Sequence, residues 1–291
     1  MSKKIYLINA KEPYFKGKFA SAAGKLDVEY KYIDLTECIF YANDQKTYLY
    51  HNHELIEPKE GYFLIRRIGE DSFFSYLLTE FLHQHDAAFM DPGNRSHTQS
   101  DGKIAQLLRL TTQGIPFPES FLCRPYSFEM HRDFIIDKIK LPCVVKRTGA
   151  RGEAVWFVKT AEELIHKMQE APFEVHILQR YIPNEHDMRV IVFEDKVVGA
   201  MKRTSADGFA NTSYDAKLEI SDITKEEKTL AIDVCKKMGV DFGGVDLVRS
   251  EEGLMIWEVN KVPQLDRFIP ATGIEALEVI VKTIKDRYLE D

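Results

Sequence analysis

The sequence predicts an α+β protein of two or three lobes, and three observations carry that prediction. The chain has 291 residues, 44% of them hydrophobic and 29% charged, enough for a sizeable core and ordinary for a globular protein. A polar, turn-rich stretch, DPGNRSHTQSDG at residues 91–102, marks a boundary about a third of the way along. From residue 141 onward, strand and helix patterns alternate, with much antiparallel sheet among the strands.

KKIYLIN reads as a buried first strand, GYFLIRRIG as a second ending in Arg66 and Arg67, and DSFFSYLLTEFLHQH as a helix. Together they predict a small α/β lobe to about residue 95. KIAQLLRLTTQG is then a helix with Ile104, Leu107, Leu108 and Thr111 on one face, stopped by Gly114, and IPFPES forces an extended crossing. LPCVVKR and AVWFVK are strands, and Thr160 with Glu163 forms a capping box that opens the helix AEELIHKMQE. VHILQRYI, MRVIVFE and KVVGAMKR are strands. Thr224 with Glu227 caps a helix through Leu230, Val234, Cys235 and Met238 that Gly239 ends. The hairpin GGVDLVRSEEGLMIWEVN follows, and Thr272 with Glu275 caps a last helix through Leu277, Val281, Ile284 and Tyr288.

The formal net charge is −7, which gives no global pull toward nucleic acid or an anionic membrane and leaves room for a local basic cleft. Cys38, Cys123, Cys143 and Cys235 are widely spaced with no C-x-x-C pair. They read as reduced thiols of a cytoplasmic protein, neither a zinc site nor a disulfide set. The start has no apolar stretch long enough for a signal peptide, and no later run approaches a membrane span. The histidines show no metal-binding spacing.

The hairpin carries Asp246 and Glu258 inside apolar runs. With a two-residue turn, Ser250 pairs with Gly253, Asp246 faces Trp257 and Glu258 points to the other side. With a Glu251-Glu252-Gly253 loop, Ser250 pairs with Leu254, Asp246 lies opposite Glu258, and Asn260 follows on the same face. Three-residue loops favour glycine at the left-handed third position, so the second register is preferred. It sets like charges with β-carbons roughly 5 Å apart, which repel, and a hard dication between them removes the penalty. Read alone, a solvated polar sheet face explains the acids equally well. Trp257, Val259, Val245 and Leu247 form the buried face under either reading.

Lys146 ends a strand before a loop with Gly149 and Gly152, an arrangement suited to polyphosphate, although no Walker loop is present. The strand ending Gln179-Arg180-Tyr181-Ile182 is broken by Pro183, which frees backbone groups for a ligand edge such as adenine. Asp187, five residues on, is placed to accept from ribose hydroxyls. Lys202 and Arg203 at another strand end are cations of the kind that neutralise a transferring phosphoryl group. Lys103 opens a helix where a cation opposes the dipole, which a bound phosphate would explain. Each of these, taken alone, also reads as an ordinary solvated surface.

Taken in order, these segments resemble the ATP-grasp superfamily, and most closely its RimK-like carboxylate–amine ligases. The resemblance runs from about residue 60 to the C-terminus through FLIRRIG, DGKIAQLLRLTTQGIPFP, PCVVKRTGARGEAV, LQRYIPNEHDMRVIV, GAMKR, GGVDLV and MIWEVN. It implies a small α/β N-terminal lobe at 1–95, a central subdomain with the phosphate loop at 96–184 and a C-terminal subdomain with the metal site at 185–291, the last two clamping ATP. By the same resemblance, Lys103 and Lys146 bind phosphates, Lys146 also lies near adenine, and the loop at Gly149 to Gly152 closes over the phosphates. Gln179 meets the adenine amino group, Arg180 and Ile182 contact adenine by backbone beside Tyr181, and Asp187 holds ribose. Asp246, Glu258 and Asn260 ligate magnesium, with manganese as its substitute, as two ions bridged by Glu258. Arg203, assisted by Arg189, steadies the transferred phosphate, and Arg67 faces the acceptor.

The sequence also departs from the pattern. The phosphate loop is about one residue short and carries Ala154 for a usual glycine. Gln-Arg stands where Gln-Glu is common, and GFANTSYDAK, with Asn211, replaces an Asn and Gly ending. The expected activity is ATP-dependent amide formation through an acyl phosphate, on small-molecule or peptide carboxylates and amines, with no nucleic-acid or membrane partner and a homo-oligomer left open. A nucleotide-binding sensor module without ligation and a phosphotransferase to a hydroxyl are the alternatives.

Overall fold

A computed structural model describes residues 3–8, 13–43, 46–66, 72–90, 103–147, 155–204, 216–261 and 263–290. The expected contributions of Arg67, Gly149, Gly152 and Asn211 lie outside these residues.

The first lobe comprises β1 (Lys4–Ile8), α1 (Pro13–Lys25), β2 (Tyr30–Ile33), β3 (Cys38–Asn43), β4 (Lys46–His51), β5 (Glu54–Ile56), β6 (Gly61–Ile65), α2 (Ser72–Gln84) and β7 (Ala88–Phe89). Its main sheet has the order β2-β1-β6-β7 and is parallel throughout. The near-continuous apolar runs of β1 and β6 fit that pairing, because parallel strands are covered on both faces. The sequence reading missed a three-stranded antiparallel sheet, β3-β4-β5. There Phe40 meets Phe74 and Phe81 of α2, while Ile39, Tyr41 and Leu55 are exposed.

Next come α3 (Lys103–Thr112), β8 (Ser120–Cys123), α4 (Pro125–Met130), α5 (Arg132–Ile139), β9 (Cys143–Arg147), β10 (Val155–Val158), α6 (Ala161–Gln169) and β11 (His176–Arg180). The strands form an antiparallel sheet ordered β10-β9-β11-β8. Its core packs Val145 and Leu178 against Ile135, Ile139, Leu164 and Met168 of α5 and α6. The capping box of Thr160 and Glu163 forms. Helix α3 turns differently from its apolar pattern: Leu110 is buried, and Leu108, expected inward, is 57% exposed. The inward face instead carries a polar residue, Gln106.

The remainder comprises β12 (His186–Phe193), β13 (Lys196–Thr204), β14 (Lys217–Ile220), α7 (Lys225–Met238), β15 (Phe242–Ser250), β16 (Gly253–Asn260), α8 (Phe268–Thr272) and α9 (Ala276–Ile284). The five strands are antiparallel in the order β14-β13-β12-β15-β16. Helix α7, capped by Thr224 and Glu227 and ended by left-handed Gly239, covers one face through Ala231, Val234, Cys235 and Met238. The expected box of Thr272 with Glu275 does not form. Thr272 ends α8, donating to Phe268 O at 2.8 Å and accepting from Ile274 N. Glu275 gives α9 no side-chain cap and instead binds Lys18 of α1 at 2.9 Å. Helix α9 therefore packs back on the first lobe, whose core also takes in Ile191, Phe193 and Phe242 of the five-stranded sheet. Among the described residues no helix is long and apolar enough to cross a membrane.

Candidate active site

Strand alternation places the charged residues. The register pairs Asp187 with Arg203, Arg189 with Asp246, Asp246 with Glu258, and Gly244 with Asn260. All of these side chains leave the same face of the five-stranded sheet. Met188, Val190, Val245, Leu247, Ile256 and Val259 leave the other, under α7.

Asp246 lies opposite Glu258 as expected, but by a different route. The turn has two residues, since Ser250 pairs with Gly253, and the ladder shifts register between Asp246 and Leu247. Trp257 is the extra residue, a bulge that restores the pairing the short turn would have lost. The bulge also corrects the expected burial of Trp257. Ile256 takes the place in the core, and Trp257 sits on the charged side, half-buried against Ile182, Val248 and Met255.

The charged face is a tight network. Asp246, 1% exposed, accepts from Arg189 Nε at 2.5 Å and Nη2 at 2.8 Å. Arg203 Nη2 lies 3.0 Å from Asp246 Oδ1, and its Nε donates to Asp187 Oδ1 at 2.6 Å. Burial pushes both carboxyls up. At Asp246 the two guanidiniums outweigh burial and hold the carboxyl below its usual range. At Asp187 burial prevails, with repulsion from Asp246 added, and the carboxyl rises to about 6. Gly244 is required here: a β-carbon would stand 3.1 Å from Arg189 Cδ and 2.9 Å from Pro263 Cβ, so the missing side chain is the space Arg189 crosses.

Asp187 does not present itself to a ribose. It is 0% exposed, its Oδ1 is committed to Arg203, and its buried Oδ2 has no hydrogen-bond partner. Its visible work is to orient Arg203.

The facing wall comes from the central sheet. Lys146, on β9, donates to Gln179 Oε1 at 2.7 Å, and Gln179 Nε2 donates to Ser120 Oγ at 3.1 Å. Between this wall and the hairpin lies a small cavity lined by Gln106, Leu107, Lys146, Gln179, Trp257 and Glu258. Arg180 N donates to Glu119 O at 2.9 Å, so of its backbone the carbonyl remains for a ligand edge. The ring of Tyr181 packs edge-on against Phe157 at 4.8 Å. Ile182 is buried against Val248 and Met255. Lys103 begins α3.

Gln106, which sequence reasoning did not single out, explains the turn of α3. Its Nε2 donates to Val259 O at 2.8 Å and its Oε1 accepts from Val259 N at 3.4 Å. It thereby occupies the open edge of β16 between Glu258 and Asn260. The available signal was a polar residue inside an apolar helical run.

The oxygen donors fit a hard dication. Among the described residues no three His, Cys, Asp or Glu side chains converge as a metal cage. Glu258 and Asn260 are donors that suit an ion keeping several waters and phosphate oxygens, as magnesium does, whereas both oxygens of Asp246 are held by Arg189 and Arg203, so Asp246 would join them only by releasing an arginine.

A slot with Lys146 on one wall and Glu258 on the other, beside the charged sheet face, has the chemistry that suits a polyphosphate nucleotide. The model of the RimK-like ATP-grasp domain family matches residues 100–284. The chain belongs to that family and is an ATP-dependent carboxylate–amine ligase. It is 30% identical over 268 residues to the "Probable alpha-L-glutamate ligase" of Vibrio cholerae, covering 88% of this chain and 86% of that protein. A Methanococcoides burtonii protein of the same name is 29% identical over 297 residues, covering 97% and 95%. In fold the chain is similar to the ATP-grasp ligase PsnB complexed with a phosphomimetic variant of minimal precursor, magnesium and ADP, with a TM-score of 0.77 at 16% identity over 98% and 99% of the two chains. It is also similar to the macrocyclase MdnB from Microcystis aeruginosa, with a TM-score of 0.71 at 16% identity over 97% and 99%.

Proposed function

We propose that this ligase activates a carboxylate of an amino acid or peptide with ATP and joins it to an amine through an acyl phosphate. The observation that carries the reading is the alignment of Asp246, Glu258 and Asn260 with Arg203 and Arg189 on one sheet face, across from Lys146 and Gln179.

The proposed roles are those the family resemblance implies at matching positions. Gln179 and the Arg180 carbonyl meet the adenine amino group, the Ile182 N–H meets a ring nitrogen, and Trp257 lines the same slot. Lys146 and Lys103 neutralise phosphate charge, and the loop at Gly149 to Gly152 closes over the phosphates. Asp246, Glu258 and Asn260 would hold magnesium, which would supply positive charge to offset that of the phosphate oxygens. A carboxylate oxygen attacks the γ-phosphorus, the bond to the β-phosphate oxygen breaks, and ADP leaves. The amine nitrogen then attacks the acyl carbon, its carbon–oxygen bond to phosphate breaks, phosphate leaves, and the nitrogen loses a proton. Arg203 and Arg189 stabilise negative charge on the moving phosphoryl oxygens, and exclusion of water protects the acyl phosphate.

Support for the substrate class comes from two sides. The named relatives are glutamate ligases, and fold neighbours are complexed with precursor peptides. The test measures ADP release over pooled carboxylates, amines and peptides, with mass spectrometry of products and magnesium compared with manganese. Amide product with stoichiometric ADP is expected. Bound ATP without stimulated release would favour a sensor module, and a phosphorylated product without amide a phosphotransferase. Glu258→Gln should abolish turnover in a folded protein, and full activity in that variant would remove the metal assignment.

A further inference from the structure

Arg180 stands where the family pattern more often carries an acid, and its side chain reaches out of its own lobe. Nη1 and Nη2 donate in parallel to Glu252 Oε1 and Oε2 at 2.6 and 2.7 Å. Arg180 ends β11 of the central sheet, and Glu252 sits in the turn between β15 and β16 of the five-stranded sheet. That turn is itself fixed, because Ser250 Oγ donates to Gly253 O at 2.9 Å and accepts from Glu252 N at 3.2 Å. Beneath the pair, Ile182 packs on Val248, Met255 and Trp257. The crossing segment also bonds both sheets, with Pro116 O accepting from Ile256 N and Glu119 O from Arg180 N, each at 2.9 Å.

The two elements joined here carry opposite walls of the slot: Gln179 on one, Trp257 and Glu258 on the other. We propose that the Arg180–Glu252 pair is a positioning element that holds these walls in register for the nucleotide, an inference that rests on the nucleotide site argued above. A planar fork on a carboxylate fixes orientation as well as distance. A single charge pair at a mostly exposed position gives a modest effect, but here it acts on two walls at once. The residue at this position thus contributes through a partner on the opposite lobe, which an acid could not do toward Glu252.

The test is a charge exchange in the full-length protein, read by calorimetry of ADP binding with magnesium and by the KM for ATP against kcat. Arg180→Gln and Glu252→Gln should each weaken ADP binding about five-fold and raise KM with kcat within about two-fold. The Arg180→Glu, Glu252→Arg double variant should return to within about two-fold of wild type. Glu251→Gln, in the same turn, should bind as wild type, and thermal melts should show all variants folded. Wild-type affinity in both single variants, or an exchanged pair no better than the singles, would overturn the proposal. Failure of the wild-type chain to bind ADP would instead overturn the nucleotide site itself.

Discussion

Gln106 and Val259 are joined twice, side-chain amide to backbone, with the helix supplying both a donor and an acceptor to one strand residue. The amide imitates a neighbouring strand and fixes the peptide units flanking Glu258 and Asn260. Removing it leaves the proposed ligands in place but frees their backbone. Partners that orient metal ligands from behind are worth about 10–100-fold in metal affinity. Gln106→Ala should therefore raise the magnesium concentration for half-maximal activity about ten-fold in a protein with unchanged far-UV circular dichroism. Wild-type magnesium dependence would show that the strand holds itself.

Asp187→Asn separates two roles for one carboxylate. If it holds ribose, ADP binding falls. The structure has it holding Arg203, so calorimetric ADP affinity should stay within about two-fold while kcat drops about 100-fold, the cost of a slightly misplaced catalytic group. The reverse pattern would restore the ribose assignment.

Glu227 links the cap of α7 to the sheet. It is 1% exposed, accepts from Arg249 at 2.5 and 2.9 Å and from Thr224 N at 2.8 Å. Burial pushes its carboxyl up, but Arg249 and the Thr224 N–H outweigh that, and it lies below its ordinary 4.5. A depressed folded value means stability that is present above about pH 4.5 and lost as pH falls through the folded value. Glu227→Gln should lose about 1–3 kcal/mol at pH 7 and show a flatter decline below pH 4.5 in denaturant melts. An acid limb identical to wild type would assign the pH dependence elsewhere.

Deleting Trp257 should be tolerated by the fold. With the two-residue turn kept and the bulge gone, Ile256 still faces the core and Glu258 still faces Asp246. The deletion variant should remain folded but bind ADP about ten-fold more weakly, the scale of a lost base–aromatic contact. A variant that unfolds would show the bulge to be needed for the sheet itself.

The sequence made much of this legible because local chemistry and register agree. The capping boxes at Thr160 and Thr224 and the first lobe's apolar strands could be read from spacing, whereas the opposed acids were expected from a three-residue loop and arise instead from a two-residue turn with a bulge. The β3-β4-β5 sheet was missed because its second turn uses Asn52 and His53 at positive φ, without the glycine that usually announces such a turn. Gln106 broke the helical period because its partner is a strand edge 153 residues away. Arg180 and Glu252 are 72 residues apart, and no pattern within either segment points to the other.

The bulge at Trp257 has a consequence for comparing relatives. A three-residue loop without a bulge and a two-residue turn with one give the same twelve-residue interval between the acids and the same opposed carboxylates. They differ in which neighbour reaches the slot: Ile256 in the first, Trp257 in the second. An alignment anchored on the acids is therefore blind to a local phase change that decides whether the slot presents an aliphatic or an aromatic surface.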